Sequence, residues 1–341
     1  MRATPEATDR FADDARLAEI GYTSLGRTGL KVSRLGFGTF RVDDRSAHHK
    51  EALAAALQQG VNLIDTGVHY TDGHAERAVG EVLADLFAKG TIAREQVVVV
   101  GKIGLVQGEL QRAARELEAD EKPVPGMVHF QDAAWHCIEP SWIEARLGEA
   151  LDRLRLQAMD LLLLHDPEIF LADAQMHRKG VPLDRVREQF YGRIERAFVQ
   201  LERECAAGRI GWYGVSSGTL AAPPEDPQAV DLQRLLDAAR AAAKQVQGDP
   251  ERHRFAAIET PLNLFEHRAA TASLGGRGTL LEQAARVNLA VLTHRPLNAV
   301  VRPNEVVRIA EPPQVNGAPP LAEAVAEVKA IEAVFAQDFA P

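Results

Sequence analysis

Short runs of apolar, β-branched residues alternate along the chain with longer stretches in which apolar positions recur every three or four residues. The first kind predicts strands of a parallel sheet buried on both faces, and the second predicts amphipathic helices packed over it. Residues 32–40 form the first predicted strand, and residues 46–59, rich in Ala and Leu, a helix that Gly60 ends. VNLID at 61–65 is the second strand; the helix at 75–89, closed by Gly90, carries Val79, Val82, Leu83 and Leu86 on one stripe. VVVVGK at 97–102 is the third, its consecutive valines demanding burial on both faces. A helix at 141–154, with Ser141 as N-cap, precedes the fourth strand, MDLLLLH at 159–165. The rhythm continues with a helix at 194–207 ended by Gly208, a strand at 210–216, a helix at 232–246 and a strand at 255–260. A helix at 280–287 and a strand at 289–293 complete seven strands.

Seven parallel strands with interleaved helices suit either an open doubly wound sheet or a (β/α)8 barrel of TIM type. The open dinucleotide fold wants G-x-G-x-x-G after its first strand, and Gly36-Phe37-Gly38-Thr39-Phe40-Arg41 lacks the third glycine and any helix start behind it. Residues with chemical potential fall instead at the C-terminal ends of consecutive strands, where barrel enzymes place their sites, so the barrel is the expected fold. Two insertions, at 105–139 and 167–191, are long enough to be lids, binding loops or extra helices over that face. After residue 300 come a Pro-rich stretch at 303–320 and an Ala/Glu/Val helix at 321–335, and no eighth strand is identifiable. The expected division is a polar N-terminal segment at 1–20, a barrel at 21–300 and a linker with a terminal helix at 301–341. A barrel short of one strand leaves an open edge between the first and seventh.

Composition narrows the function classes. Hydrophobic content of 46% and charged content of 26% are those of an ordinary globular domain among 341 residues. A formal charge of -9 opposes nucleic acid and anionic lipid as partners. Two cysteines, Cys137 and Cys205, are too few for a disulfide framework and are read as reduced structural thiols. Residues 1–20 lack the apolar core of a secretory signal, and no apolar run reaches the roughly 18 residues of a membrane span, which favours the cytoplasm.

Asp65, Lys102 and His165 end the second, third and fourth predicted strands, and Tyr70 lies in the loop after Asp65. Adjacent barrel strands would gather them. Their types suit a single proton-transfer chemistry, with Tyr as proton donor or acceptor, Lys to acidify the phenol, Asp to keep the lysine charged and aimed, and His to orient a substrate oxygen. A nearby cation lowers a phenol from its ordinary value of about 10 by roughly 1 to 3 units, which is expected to bring Tyr70 towards working pH. Each residue alone also has a structural reading: Asp65 as a helix cap, Tyr70 as a rim residue, Lys102 as the wet end of a buried strand, His165 as a satisfied buried histidine. No metal is expected, because His48-His49 and the His129, His136 and Cys137 group lack compact, strand-anchored spacing.

The segment Asp65-Thr66-Gly67-Val68-His69-Tyr70-Thr71-Asp72-Gly73-His74-Ala75-Glu76, with Gly80 beyond it, resembles the aldo-keto reductase signature. Lys102 in GKIG, His165 in LLHDP and Gly214-Val215-Ser216-Ser217 follow in the family's order, and residues 25–33 resemble its opening hairpin. The resemblance implies an NADPH-dependent reduction of an aldehyde or ketone to an alcohol. Hydride would reach the carbonyl carbon, Tyr70 would give the proton, Lys102 would pair with Asp65, and His165 would orient the carbonyl. It also implies cofactor contacts at Thr39, Ser216, Ser217, Glu259, His294, Arg295 and Leu297.

Several of these positions depart from the family pattern. Ser216-Ser217 stands where Ser-Asn is usual and Glu259 where Gln is usual; ionised Glu259 accepts from a carboxamide but cannot donate to it. His294-Arg295 replaces a ring-stacking Tyr and a Ser, so an imidazole would stack and an arginine would reach the pyrophosphate. Nothing after Asn298 matches the segment that holds the adenosine 2′-phosphate, so the chain is expected to be a fragment or to carry its last strand past an insertion. Two further readings stay open: a non-catalytic nucleotide-binding or redox-sensing module, and a cofactor-free barrel lyase or isomerase using Tyr70 and Lys102.

Overall fold

Strands with no polar face need a neighbour on each side and cover on both surfaces. The structure, a computed structural model, describes residues 1–14, 21–302, 305–310 and 326. Helix α1 (Pro5–Asp14) is followed by a hairpin of β1 (Tyr22–Ser24) and β2 (Lys31–Ser33), then β3 (Phe37–Gly38), α2 (Ala47–Gln58), β4 (Leu63–Asp65), α3 (His74–Ala88) and β5 (Val98–Ile103). The first insertion holds β6 (Leu105–Val106), α4 (Gly108–Ala119), β7 (Val128–Gln131) and β8 (Ala134–His136). Next come α5 (Pro140–Leu154), β9 (Met159–His165), α6 (Ile169–His177), α7 (Leu183–Ala206), β10 (Ile210–Ser216), α8 (Leu232–Gln247) and β11 (Phe255–Pro261). Helices α9 (Arg268–Thr271) and α10 (Leu280–Arg286), then β12 (Ala290–His294), β13 (Asn298–Arg302) and β14 (Glu305–Arg308), complete the described elements.

One parallel sheet runs in the order β12-β11-β10-β9-β5-β4-β3. Period-two alternation sorts its residues into two cores. Val98, Val100, Leu161, Leu163, Ala257 and Ala290 point inward and cluster with Leu25, Leu30 and Val32 of the N-terminal hairpin. Leu63 of β4 and Ala290 of β12, five strands apart in the sheet order, thus meet one plug, as a sheet curled into a barrel requires. Val97, Val99, Leu162, Leu164, Tyr213 and Ile258 point outward into the larger core beneath the helices. Gly26 makes the plug possible: at φ +51, a Cβ would lie 2.3 Å from the Ala290 nitrogen.

The predicted (β/α)8-type architecture is the observed one, with local corrections. The apolar run 32–40 is two elements: β2 pairs with β1 in the plug, and only Phe37–Gly38 joins the barrel, because the chain turns between them. Helix α5 is capped at Glu139, with Pro140 at its first position instead of Ser141 as N-cap; Pro has no N–H to lose there. Helix α7 begins eleven residues before the predicted start at 194. The insertion at 105–139 builds a small antiparallel sheet of order β6-β8-β7, and that at 167–191 becomes α6 and the first turns of α7. Arg2 donates to the Ile210 carbonyl at 2.7 Å and the Ala3 amide to Asp160 at 2.7 Å, tying the N-terminus to the strand starts. Among the described residues no strand joins β12 to β3; β13 and β14 form a separate antiparallel pair. Of the helix predicted at 321–335 all but residue 326 lies outside the described residues. No helix among the described residues is long and apolar enough to cross a membrane.

Candidate active site

The inward ladders of β4, β5, β9, β10, β11 and β12 turn from apolar to polar near their C-terminal ends. Asp65, His165, Ser216 and His294 end β4, β9, β10 and β12, while Lys102 and Glu259 lie one and two residues before the ends of β5 and β11. His165, Ser216 and Glu259 sit level across three adjacent strands. Six polar side chains therefore ring one mouth at the C-terminal end of the barrel.

Lys102 is the centre of this ring. Its side chain is wholly buried, it is ion-paired to Asp65, and its Nζ stands 3.3 Å from Glu259 Oε2. The Tyr70 ring centroid is 5.5 Å from the same nitrogen. Tyr70 opens a turn just past β4, its amide donating to the Gly67 carbonyl, and its ring meets Phe40, His69 and His165 at 5.4, 4.8 and 6.1 Å between centroids. The loop after β3 is held over this turn: Thr71 donates to the Val42 carbonyl at 2.6 Å, and Asp44 binds His74 and Arg77. His136 Nε2 lies 2.9 Å from the His165 carbonyl, anchoring the first insertion to the site. Gly104 permits that approach, since a Cβ there would lie 2.3 Å from the same carbonyl.

Burial dominates the electrostatics. It opposes the charge on Lys102, yet the Asp65 and Glu259 carboxylates hold that ammonium above the ordinary lysine range. Asp65 is pushed up by burial while Lys102 pulls it back. Tyr70 corrects the sequence expectation: burial raises its phenol above the usual range and outweighs Lys102, so the hydroxyl stays protonated at neutral pH. Burial, then Lys102, lowers His69 to about 4; burial and Arg295 take His294 to about 4. His165 falls well below its ordinary value through burial, His69 and Lys102. All three imidazoles are neutral at neutral pH. Asp166 rises to about 7 through burial and Glu259, and Glu168 to about 8 through burial and Asp166.

Of the positions expected to touch a cofactor, Ser216, Glu259 and His294 line the mouth. Thr39 lies beside it, its hydroxyl donating to the Asp65 carbonyl at 2.9 Å. Ser217 is buried, and its Oγ accepts from the Thr219 amide at 3.1 Å. Glu259 differs from expectation: Oε1 is 3.1 Å from His294 Nδ1 and Oε2 faces Lys102, so both oxygens look to the protein. Arg295, expected to reach a pyrophosphate, is paired with Glu266 at 2.6 Å, and Leu297 is exposed. Ser216 Oγ, His165 Nδ1 and His294 Nε2 are buried without a hydrogen-bond partner among the described residues. Such atoms are costly to leave unpaired, and they fit a polar ring docked in the mouth. His69, Asp166, Glu168 and the Lys102–Glu259 contact escaped the sequence reading. Only His69, beside Tyr70, and Asp166, beside His165, carried a positional hint. Among the described residues, the ligand-type atoms of Asp43, Asp44 and His74 converge, but Arg45 and Arg77 already pair with the two carboxylates.

The Aldo/keto reductase family model matches residues 34–253. D-threo-aldose 1-dehydrogenase of a Pseudomonas species is 32% identical over 168 residues, covering 47% of this chain and 48% of its own length. Aldo-keto reductase YhdN of Bacillus subtilis (strain 168) is 35% identical over 179 residues, covering 46% of this chain and 51% of its own. The chain thus spans about half the length of these relatives. Among solved structures, the holo form of an aldo-keto reductase from Bacillus halodurans is similar in fold, with a TM-score of 0.50 and 18% identity over 80% of this chain and 65% of that one.

Proposed function

This chain belongs to the aldo/keto reductase family, and on that premise we propose that it is an NADPH-dependent oxidoreductase that reduces an aldehyde or ketone to an alcohol, with Tyr70 as proton donor. The observation that carries the reading is the buried Lys102 ammonium, held by Asp65 and set 5.5 Å from the Tyr70 ring. A nicotinamide held in the mouth would supply the hydride that the carbonyl carbon receives. The protonated Tyr70 hydroxyl gives its proton to the carbonyl oxygen, and Lys102 compensates the phenolate left behind. Asp65 fixes the lysine charge and aim. His165, neutral at working pH, donates a hydrogen bond to the same oxygen, which an imidazolium would instead protonate. Thr39, Ser216, Ser217, Glu259, His294, Arg295 and Leu297 remain the positions assigned to the cofactor. The barrel of residues 21–300 is the working unit, the partner is a small carbonyl compound, and the cytoplasm keeps Cys137 and Cys205 reduced.

A second reading, a nucleotide-binding module without turnover, draws on Arg295 and Ser217 being engaged with the protein itself. NADPH oxidation followed by absorbance against a panel of aromatic and aliphatic aldehydes separates the readings. Turnover is expected in the wild type, with a loss of about 10²- to 10⁴-fold in Tyr70→Phe at unchanged circular dichroism. NADPH binding without turnover supports the module; turnover retained in Tyr70→Phe removes the assigned mechanism. A lyase or isomerase would bind no NADPH at all.

A further inference from the structure

Among the described residues the mouth holds more carboxylates than cations. Lys102 is the one ammonium of the inward ring among them, and it faces both Asp65 and Glu259. The histidines of the ring are neutral, Arg295 is paired with Glu266, and Asp166 adds a further carboxyl 3.8 Å from His165 Nε2. Glu259 is the unexpected member. Its side chain is 5% exposed, and Oε2 faces Lys102 without making a hydrogen bond. A buried carboxylate that shares its only cation with another carboxylate is poorly compensated.

A ring that delivers hydride to a carbonyl held by Tyr70 and His165 must lie within about 3–3.5 Å of that carbon, and so in the same mouth as Glu259. Oxidised nicotinamide is a cation and reduced nicotinamide is neutral. We infer that Glu259 sets a charge preference in this site, so that the oxidised cofactor is held more tightly than the reduced one and the bound equilibrium is tilted towards reduction of the carbonyl, the direction that forms the oxidised cofactor. The inference rests on the oxidoreductase reading and concerns its direction. A carboxylate at such range in a partly dry site corresponds to about tenfold in relative affinity. By linkage, the same factor multiplies the equilibrium between bound species.

The test is calorimetric titration of the full chain with NADP⁺ and NADPH separately, read as the ratio of the NADPH to the NADP⁺ dissociation constant. The ratio is expected to fall about tenfold in Glu259→Gln and to stay within about threefold of wild type in Glu259→Asp, which keeps the charge. An unchanged ratio in Glu259→Gln, or an equal weakening of both ligands, overturns the inference while leaving the oxidoreductase reading intact. Failure of the wild type to bind either ligand overturns the oxidoreductase reading and the inference with it. If Glu259→Gln does not fold, wild type titrated with oxidised and reduced nicotinamide mononucleotide reads the same preference: tighter binding of the oxidised form supports it, and equal or weaker binding overturns it.

Discussion

The centre of the barrel sheet and its two edges are built from similar residues but live in different surroundings. Every residue of β5 and β9 is buried, and these strands carry Lys102 and His165. At the edges, β3 is two residues long and partly exposed, and β12 exposes Thr293 and half-buries Leu292 and His294. The comparison teaches that a charge becomes chemically useful where neighbours on both sides exclude water. Lys102 is held by carboxylates in a dry setting, whereas Arg295, just past an edge strand, forms a half-exposed pair with Glu266 that resembles ordinary surface electrostatics.

The largest contrast is expected from removing those two cations. Lys102→Met strands Asp65 and Glu259 without compensation and should cost about 3–5 kcal/mol in urea unfolding at neutral pH. Arg295→Met should cost about 0–1 kcal/mol. Equal losses would erase the distinction between centre and edge. Packing gives the next test: Leu162→Ala in the outer core beneath the helices should cost about 2–5 kcal/mol and Leu292→Ala on the edge strand about 1–2 kcal/mol, again by denaturant unfolding.

A smaller effect is pH-dependent. Glu168 accepts from the Gly218 amide at 2.7 Å, and burial with Asp166 raises it to about 8 from an ordinary value near 4. Because its folded value is raised, its contribution is complete below about pH 4 and is lost as pH rises towards about 8. Glu168→Gln keeps the acceptor and removes the ionisation, so calorimetry should show a Tm higher than wild type by about 2–4 °C at pH 8, with the two converging at acid pH. A Tm difference that does not vary with pH would refute the assignment. His69 acts in the opposite sense: its lowered value means stability complete above about pH 6.5 and lost as pH falls towards about 4. The smallest change is expected from Thr293→Lys on the exposed edge, within about 0.5 kcal/mol, with less light scattering on storage because a charged edge resists pairing between copies.

Much of this architecture is legible in the order of residues. A run such as VVVVGK announces a strand buried on both faces by composition alone, and the polar residue ending it marks where the buried run stops. Asp65, Lys102 and His165 were legible for that reason, and Tyr70 through its place in the signature between them. Boundaries that depend on a turn were not legible: residues 32–40 read as one strand because periodicity says nothing of which neighbour each half will find. The start of α7 at Leu183 was missed although Val186, Phe190, Ile194 and Ala197 already recur every three or four residues, because the stripe begins inside a stretch read as an insertion.

The sequence by itself determined which segments must be buried and which chemical groups stand at their ends, because hydrophobic runs and residue types are local properties of the chain. Tertiary structure alone decided what those groups experience. It set Glu259 against Lys102 instead of leaving it open to a ligand, tied Arg295 to Glu266, and raised the Tyr70 phenol where a neighbouring lysine by itself would have lowered it. Each of those outcomes depends on distance and on exclusion of water, and both are fixed only when strands far apart in the chain close around one mouth.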